Sequence, residues 1–137
     1  MFTVDHSVGR LLEARLEALR TVEDVARFEE AMRQGFDRVE GKAIVCADWR
    51  KANVLPPAVA ERMIALLERG NPRLERSAIL LAKEHATFNL QVERVVREAK
   101  NSARRTFRDA AAMVAWLGES LTAVERDWVA RFLSVEE

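Results

Sequence analysis

The sequence predicts an α/β fold on a five-stranded mixed sheet, and three observations carry that expectation. First, two stretches repeat one plan: KAIVCADWRKANVLPPAVAERMIALLERG (42–70) and SAILLAKEHATFNLQVERVVREA (77–99) each pass from an apolar segment through a polar turn into an amphipathic helical pattern. Parallel strands joined by helical crossovers have that form. Second, the apolar runs carry no polar relief, as strands covered on both faces require. Third, the first twenty residues alternate with a period of two, the mark of a hairpin with one wet face.

Taken in order, Phe2, Val4 and His6 alternate with Thr3 and Asp5, and Leu12, Ala14, Leu16 and Ala18 alternate with Glu13, Arg15 and Glu17. The turn between them falls near Gly9. Leu, Glu, Ala and Arg would also suit one helix over 10–39, but the strict alternation and the cap-like Thr21 favour the hairpin. Thr21 and the acids Glu23 and Asp24 open a helix in which Val25, Phe28, Met32, Phe36 and Val39 recur until Gly41. Lys42 to Trp49 is the first buried strand. Pro56-Pro57 opens the next helix, where a missing N–H costs nothing, and Gly70-Asn71-Pro72 stops it.

Ser77 to Ala82 is the second buried strand, followed by a helix that packs Phe88, Val92, Val95, Val96 and Ala99. Glu93/Arg97 and Arg94/Glu98 sit four apart on its wet side. Arg104 to Phe107 is a short third parallel strand, placed near an edge by its charge. Asp109 caps a helix carrying Met113, Trp116 and Leu117, and Thr122 with Glu125 forms a capping box for a last helix bearing Trp128, Val129, Phe132 and Leu133. Glu136 and Glu137 are expected to fray. No linker or low-complexity tract interrupts the chain, so residues 1–137 read as one domain.

Composition removes several function classes. Hydrophobic residues make up 49% and charged residues 32%, which suits a folded chain and not a disordered one. Lys+Arg and Asp+Glu balance at 22 each, so no global field favours nucleic acid. Arg69, Arg73, Arg76, Arg104 and Arg105 are interleaved with Glu68 and Glu75 and read as solvated faces. No apolar run reaches the ~18 residues of a membrane span, and MFTVDHSVGR lacks the basic start and apolar core of a secretory signal. A cytoplasmic, reduced compartment is the expectation. The single cysteine, Cys46, lies in an apolar strand and behaves as a small hydrophobe. Two distant histidines with no cysteine partner make no metal site, and no motif calls for a cofactor.

Ligands of parallel sheets collect beyond the carboxyl ends of the strands. Asp48, Trp49, Arg50 and Lys51 leave the first such strand there, Lys83, Glu84 and His85 the second, and Arg108 and Asp109 the third. These nine residues are the candidate ligand-binding rim. Arg50 and Arg108 suit an anionic group held bidentately beside the Trp49 wall. The competing reading ties Asp48 and Arg50 to the loop and packs Trp49 on the next helix. His85, just before a helix, suits an acid–base group or a cap, with Glu84, Asp48 and Thr87 as its possible companions. No G-x-S-x-G, glycine-rich phosphate loop or H-E-x-x-H occurs. His6 lies on the apolar phase of its strand and reads as a core or hairpin residue, and Trp116 and Trp128 read as core.

Ala47-Asp48-Trp49-Arg50, Leu55-Pro56-Pro57 before a helix and Asn71-Pro72-Arg73 before a strand carry a resemblance to the SpoIIAA-like (STAS-like) family. Trp116-Leu117 and the closing helix from Glu125 to Leu133 add to it. The family consists of small α/β domains related in fold to bacterial anti-sigma-factor antagonists and distantly to CRAL-TRIO lipid-transfer domains. The similarity spans nearly the whole chain and rests on structural punctuation more than on chemistry. It implies an N-terminal antiparallel hairpin followed by βαβαβα units, with helices packed against the sheet, and a general binding role. In antagonist STAS domains a phosphorylatable Ser or Thr starts the helix after the first parallel strand. Here that segment reads Asn53-Val54-Leu55-Pro56-Pro57, with no hydroxyl between Asp48 and Ser77, so phosphorylation-controlled partner switching is not implied.

The expected function is thus a non-catalytic regulatory or binding module for a protein partner or a small anionic ligand. Two alternatives come from other classes: a lipid or apolar-metabolite carrier, which needs a cavity of hundreds of cubic ångströms, and an enzyme using His85 and Asp48. A homodimer through the terminal helix or the hairpin edge is a further expectation, two-fold pairs being common.

Overall fold

The period-two segments form β1 (Phe2–Val8) and β2 (Leu11–Leu16), antiparallel and turned at Gly9, in a computed structural model that describes residues 1–134. Glu136 and Glu137 lie outside the described residues. After the hairpin come α1 (Val22–Asp37), β3 (Ala43–Asp48), α2 (Pro57–Gly70), β4 (Leu74–Leu80), α3 (Ala86–Glu98), β5 (Arg104–Phe107), α4 (Ala110–Gly118) and α5 (Ala123–Leu133). The five strands lie in the order β1-β2-β3-β4-β5, with β2 to β5 mutually parallel. The fold is therefore α/β with a mixed sheet.

Local chemistry sets the element ends. Thr21 with Asp24, and Thr122 with Glu125, make reciprocal capping boxes at α1 and α5. Asp109 accepts from the Ala112 amide to start α4, and Pro57 opens α2. Gly41, at φ +77, turns the chain out of α1 into β3.

Strand β4 begins at Leu74, three residues before the apolar run, because its charged residues have partners. Glu75 pairs with Arg10, and Arg76 reaches the Trp116 carbonyl and Glu119. Arg104, placed by its charge on a solvated face, is instead buried at 6% exposure.

Strand order that never reverses has one consequence for the layers. Parallel crossovers share one hand, so α1, α2 and α3 all fall on the same face. There Phe28, Met63 and Phe88 pack over Leu12, Ala14, Val45 and Ile79. The opposite face belongs to α4 and α5, whose Met113, Leu117, Val129 and Leu133 cover Leu11, Ile44, Cys46 and Leu80. Two helices cover five strands only partly, so Trp116 and Trp128 are half-buried rather than enclosed. Guanidinium groups close over them: Arg76 and Arg105 over Trp116, Arg131 over Trp128. The apolar stripe of α5 thus lies on its own sheet. No helix among the described residues is long and apolar enough to cross a membrane.

The hairpin turn is seated on α5. The Arg10 amide donates to Glu125 Oε2 at 2.9 Å, while His6 Nε2 lies 2.6 Å from the Gly9 carbonyl. Gly9 holds φ +50, and a Cβ there would stand 2.0 Å from Glu125 Oε2. Gly9→Ala should therefore cost about 1–2 kcal/mol, read as a shift in urea midpoint at constant slope.

Glu13 is buried on the α5 face of β2, with Oε2 unpartnered. Burial pushes its carboxyl up to about 7, repulsion from Asp5 adds to this, and Arg15 and Arg131 oppose it. The unfolded chain ionises this residue near 4.5 and the folded chain near 7. Between those values the folded state holds more protons, so this group's contribution to stability falls as pH rises through the window and is constant above it. Relative to wild type, Glu13→Gln should gain about 1–3 kcal/mol across that interval, measured by urea titrations at both ends. A constant offset would count against the shift.

Candidate functional site

A crevice of about 640 Å³ opens at the carboxyl ends of the parallel strands. Arg50, Lys51, Lys83, Glu84, His85 and Arg108 line it, together with Glu17, Leu81 and Ala82. Six of the nine residues expected at this rim therefore share one space. Asp48, Trp49 and Asp109 are not among those lining it.

Strand geometry explains the separation of Asp48 from Trp49. Successive residues of a strand point to opposite faces, and the last ladder bond, Trp49 N to the Leu80 carbonyl at 2.9 Å, carries that phase past β3. Asp48 falls in phase with Ile44 and Cys46, on the α5 side. Trp49 falls in phase with Val45 and Ala47, among the residues under α1 and α2. Asp109 is spent on capping α4.

Asp48, at 2% exposure, is the centre of a clamp. Its Oδ2 receives Arg15 at 2.5 Å and Arg50 Nη2 at 2.9 Å, and its Oδ1 receives the Arg50 amide and Nε. Each guanidinium then reaches the end of α5: Arg15 to the Phe132 carbonyl at 3.0 Å, Arg50 to the Leu133 carbonyl at 3.1 Å. Cations at a helix carboxyl terminus satisfy its open carbonyls and its dipole. Arg15 also lies 4.2 Å from the Phe132 ring centroid. Arg50 thus joins the crevice wall to the fixing of α5.

The rest of the rim is held from below. Buried Asn89 donates from Nδ2 to the Ala82 carbonyl at 2.7 Å, fixing the loop that carries Lys83 to His85. Gln91 makes a reciprocal pair of 2.9 Å bonds with the Leu55 backbone, fixing the loop after Lys51. Arg108 bonds Glu93 at 2.7 Å. Lys51 and Lys83 are exposed and make no hydrogen bond or ion pair among the described residues. His85 sits at the N-cap of α3 with no side-chain capping bond, and its Nδ1 is buried without a partner.

Arg15, Asn89, Gln91 and Glu17 are the parts that sequence reasoning missed. The phase of β2 carried a signal for Arg15 alone: it places that residue with Glu13 on the α5 face, beside Asp48 in the β2–β3 register. Nothing local marks Asn89 or Gln91 apart from polar residues on a helix that otherwise packs apolar ones.

The arrangement gathers cations at the crevice, and Asp48 is committed to them. Both oxygens of Asp48 are occupied by guanidinium donors, and no hydrogen bond joins it to His85. Burial raises the Cys46 thiol well above its ordinary value, which removes it as a nucleophile. No cluster of potential metal ligands occurs among the described residues.

Asp48→Ala would take from Arg15 and Arg50, both partly buried, the carboxylate they share. It should cost about 2–3 kcal/mol, short of the full cost for a deeply buried pair because each guanidinium keeps some contact with water. Arg50→Ala alone should cost less, since Asp48 keeps Arg15. Equilibrium unfolding of both variants checks the order. Compared with known proteins, the chain matches no family model, no curated protein and no solved structure.

Proposed function

We propose that this chain is a cytoplasmic, non-catalytic binding module of STAS-like type that holds a small anionic ligand at the carboxyl edge of its parallel strands. The observation that carries the reading is the charge of the crevice. Among the described residues lining it, Arg50, Lys51, Lys83 and Arg108 outnumber Glu17 and Glu84, and the two lysines have no partner of their own among the described residues. The first turn of α3 adds to this: it has no side-chain cap, so backbone amides there remain to donate to an anion. The element order, a hairpin followed by three crossovers and two closing helices, supports the family reading without bearing on the ligand. The crevice is lined within one chain, so the reading needs no second copy.

Lysines do the recognising in this scheme, because Arg50 and Arg108 are committed to Asp48 and Glu93. A compact anion such as phosphate fits point charges better than a planar carboxylate does, since two ammonium groups impose no bidentate geometry.

Lys51→Ala with Lys83→Ala should weaken phosphate binding by about tenfold in calorimetric titration. Stability should stay within about 0.5 kcal/mol, as for exposed residues without partners. Unchanged phosphate affinity in the double variant, or no binding to wild type, would overturn the reading.

A further inference from the structure

A second cavity, partly open to solvent, lies elsewhere between α1, α2 and the sheet face beneath them, with a volume of about 370 Å³. Small side chains on the strands make the space: Ala14, Ala47 and Ser77 sit where larger residues would fill the gap beneath Met32 and Leu66. The lining is predominantly apolar, and its size is that of small-molecule sites rather than of a packing defect.

Two buried polar groups border this space with their bonding incomplete. Trp49 Nε1 has no acceptor, and Arg104 Nε has none either. Arg104 is the more consequential. Its guanidinium donates only to neutral oxygens, Asn71 Oδ1 at 2.9 Å and the Leu67 carbonyl at a long 3.4 Å. Among the described residues no carboxylate lies within ion-pair distance of it. Burial lowers its pKa to about 10, as expected of a cation without an anion beside it. A buried charge lacking a counter-ion is costly, and Arg104 lines this cavity with its Nε unpartnered and its Nη2 bond long.

The span between the two groups follows from the register. Arg104 pairs with Ser77, and Ser77 with Val45, four residues before Trp49. That separation is about 13 Å along the strand direction.

We infer that this cavity is a binding site for an apolar carboxylic acid of medium chain length, its carboxylate on the Nε/Nη2 edge of Arg104 and its chain running over Ala47 toward Trp49. The carboxylate supplies the anion that Arg104 lacks and matches the guanidinium fork bidentately. The chain occupies apolar space otherwise bare of contacts. Above the cavity, Arg69 donates Nε and Nη2 to both oxygens of Glu29 at 2.5 and 2.6 Å, tying α2 to α1. That exposed pair is weak enough to part for an entering ligand. This site is distinct from the strand-edge crevice, shares no lining residue with it, and does not depend on what binds there.

Decanoate is the probe, with decylamine as the charge-reversed control of equal chain length. In calorimetric titration decanoate should bind with a dissociation constant below about 100 μM, and decylamine at least about tenfold more weakly. Arg104→Gln should weaken decanoate by about tenfold or more while leaving decylamine unchanged. Should Arg104→Gln fail to fold, Ala47→Leu fills the cavity without touching any charge, and it should abolish decanoate binding while phosphate binding at the crevice persists. No decanoate binding to wild type, equal binding of the two amphiphiles, or full decanoate affinity in Ala47→Leu would each overturn the inference.

Discussion

Three successive crossovers of one hand, in a sheet whose order runs β1 to β5 without reversal, decide how this molecule is layered. All three crossover helices must stand on one side, and α4 and α5 are left to cover the other. Doubly wound sheets bind ligands where the order reverses and neighbouring loops part to opposite faces. Here no such point exists, and the strand-end crevice is accordingly an open rim edged by exposed lysines. The crowded side is different: α1 and α2 bridge a sheet surface of alanine and serine, and the bridge leaves a partly open space below it.

The thinly covered side needs help that burial alone does not provide. Asp48 supplies it by gathering Arg15 and Arg50, which in turn hold the last carbonyls of α5. A carboxylate this buried would be expensive by itself. Two guanidiniums and a backbone amide satisfy its oxygens, and the guanidiniums keep part of their surface in water. The opposite end of α5 is held by Glu125, which takes both the Thr122 amide of its own cap and the Arg10 amide of the hairpin. The helix is thus pinned at both termini, with Val129 and Leu133 between.

Most of the architecture was legible because periodicity reports burial directly. The continuous runs at 43–47 and 78–82 fall on strands covered on both faces, the second as far as Leu80, and the capping residues Thr21, Asp109 and Thr122 sit where helices begin. The start of β4 was not legible, since Leu74-Glu75-Arg76 looks solvent-facing until its partners 65 and 43 residues away are known. The rim was readable in outline, because strand direction alone fixes which loops share an edge. Its membership was not: Asp48 and Trp49 are adjacent in sequence, yet strand phase sends them to opposite faces. Arg104 shows the same limit more sharply. Nothing next to it in the chain announces that a short, charged strand starts with a guanidinium sealed beneath α2.

The bond between the Arg10 amide and Glu125 joins positions 115 residues apart. A ribosome releases the chain from its amino end, so the hairpin emerges long before its seat exists. Until α4 and α5 have docked, Leu11, Ile44, Cys46 and Leu80 present a bare apolar wall to solvent. Domains whose decisive contacts close last are exposed to wrong partners during that interval. The hairpin turn therefore gains its seat only when α5 docks, and that closure must span 115 residues of chain.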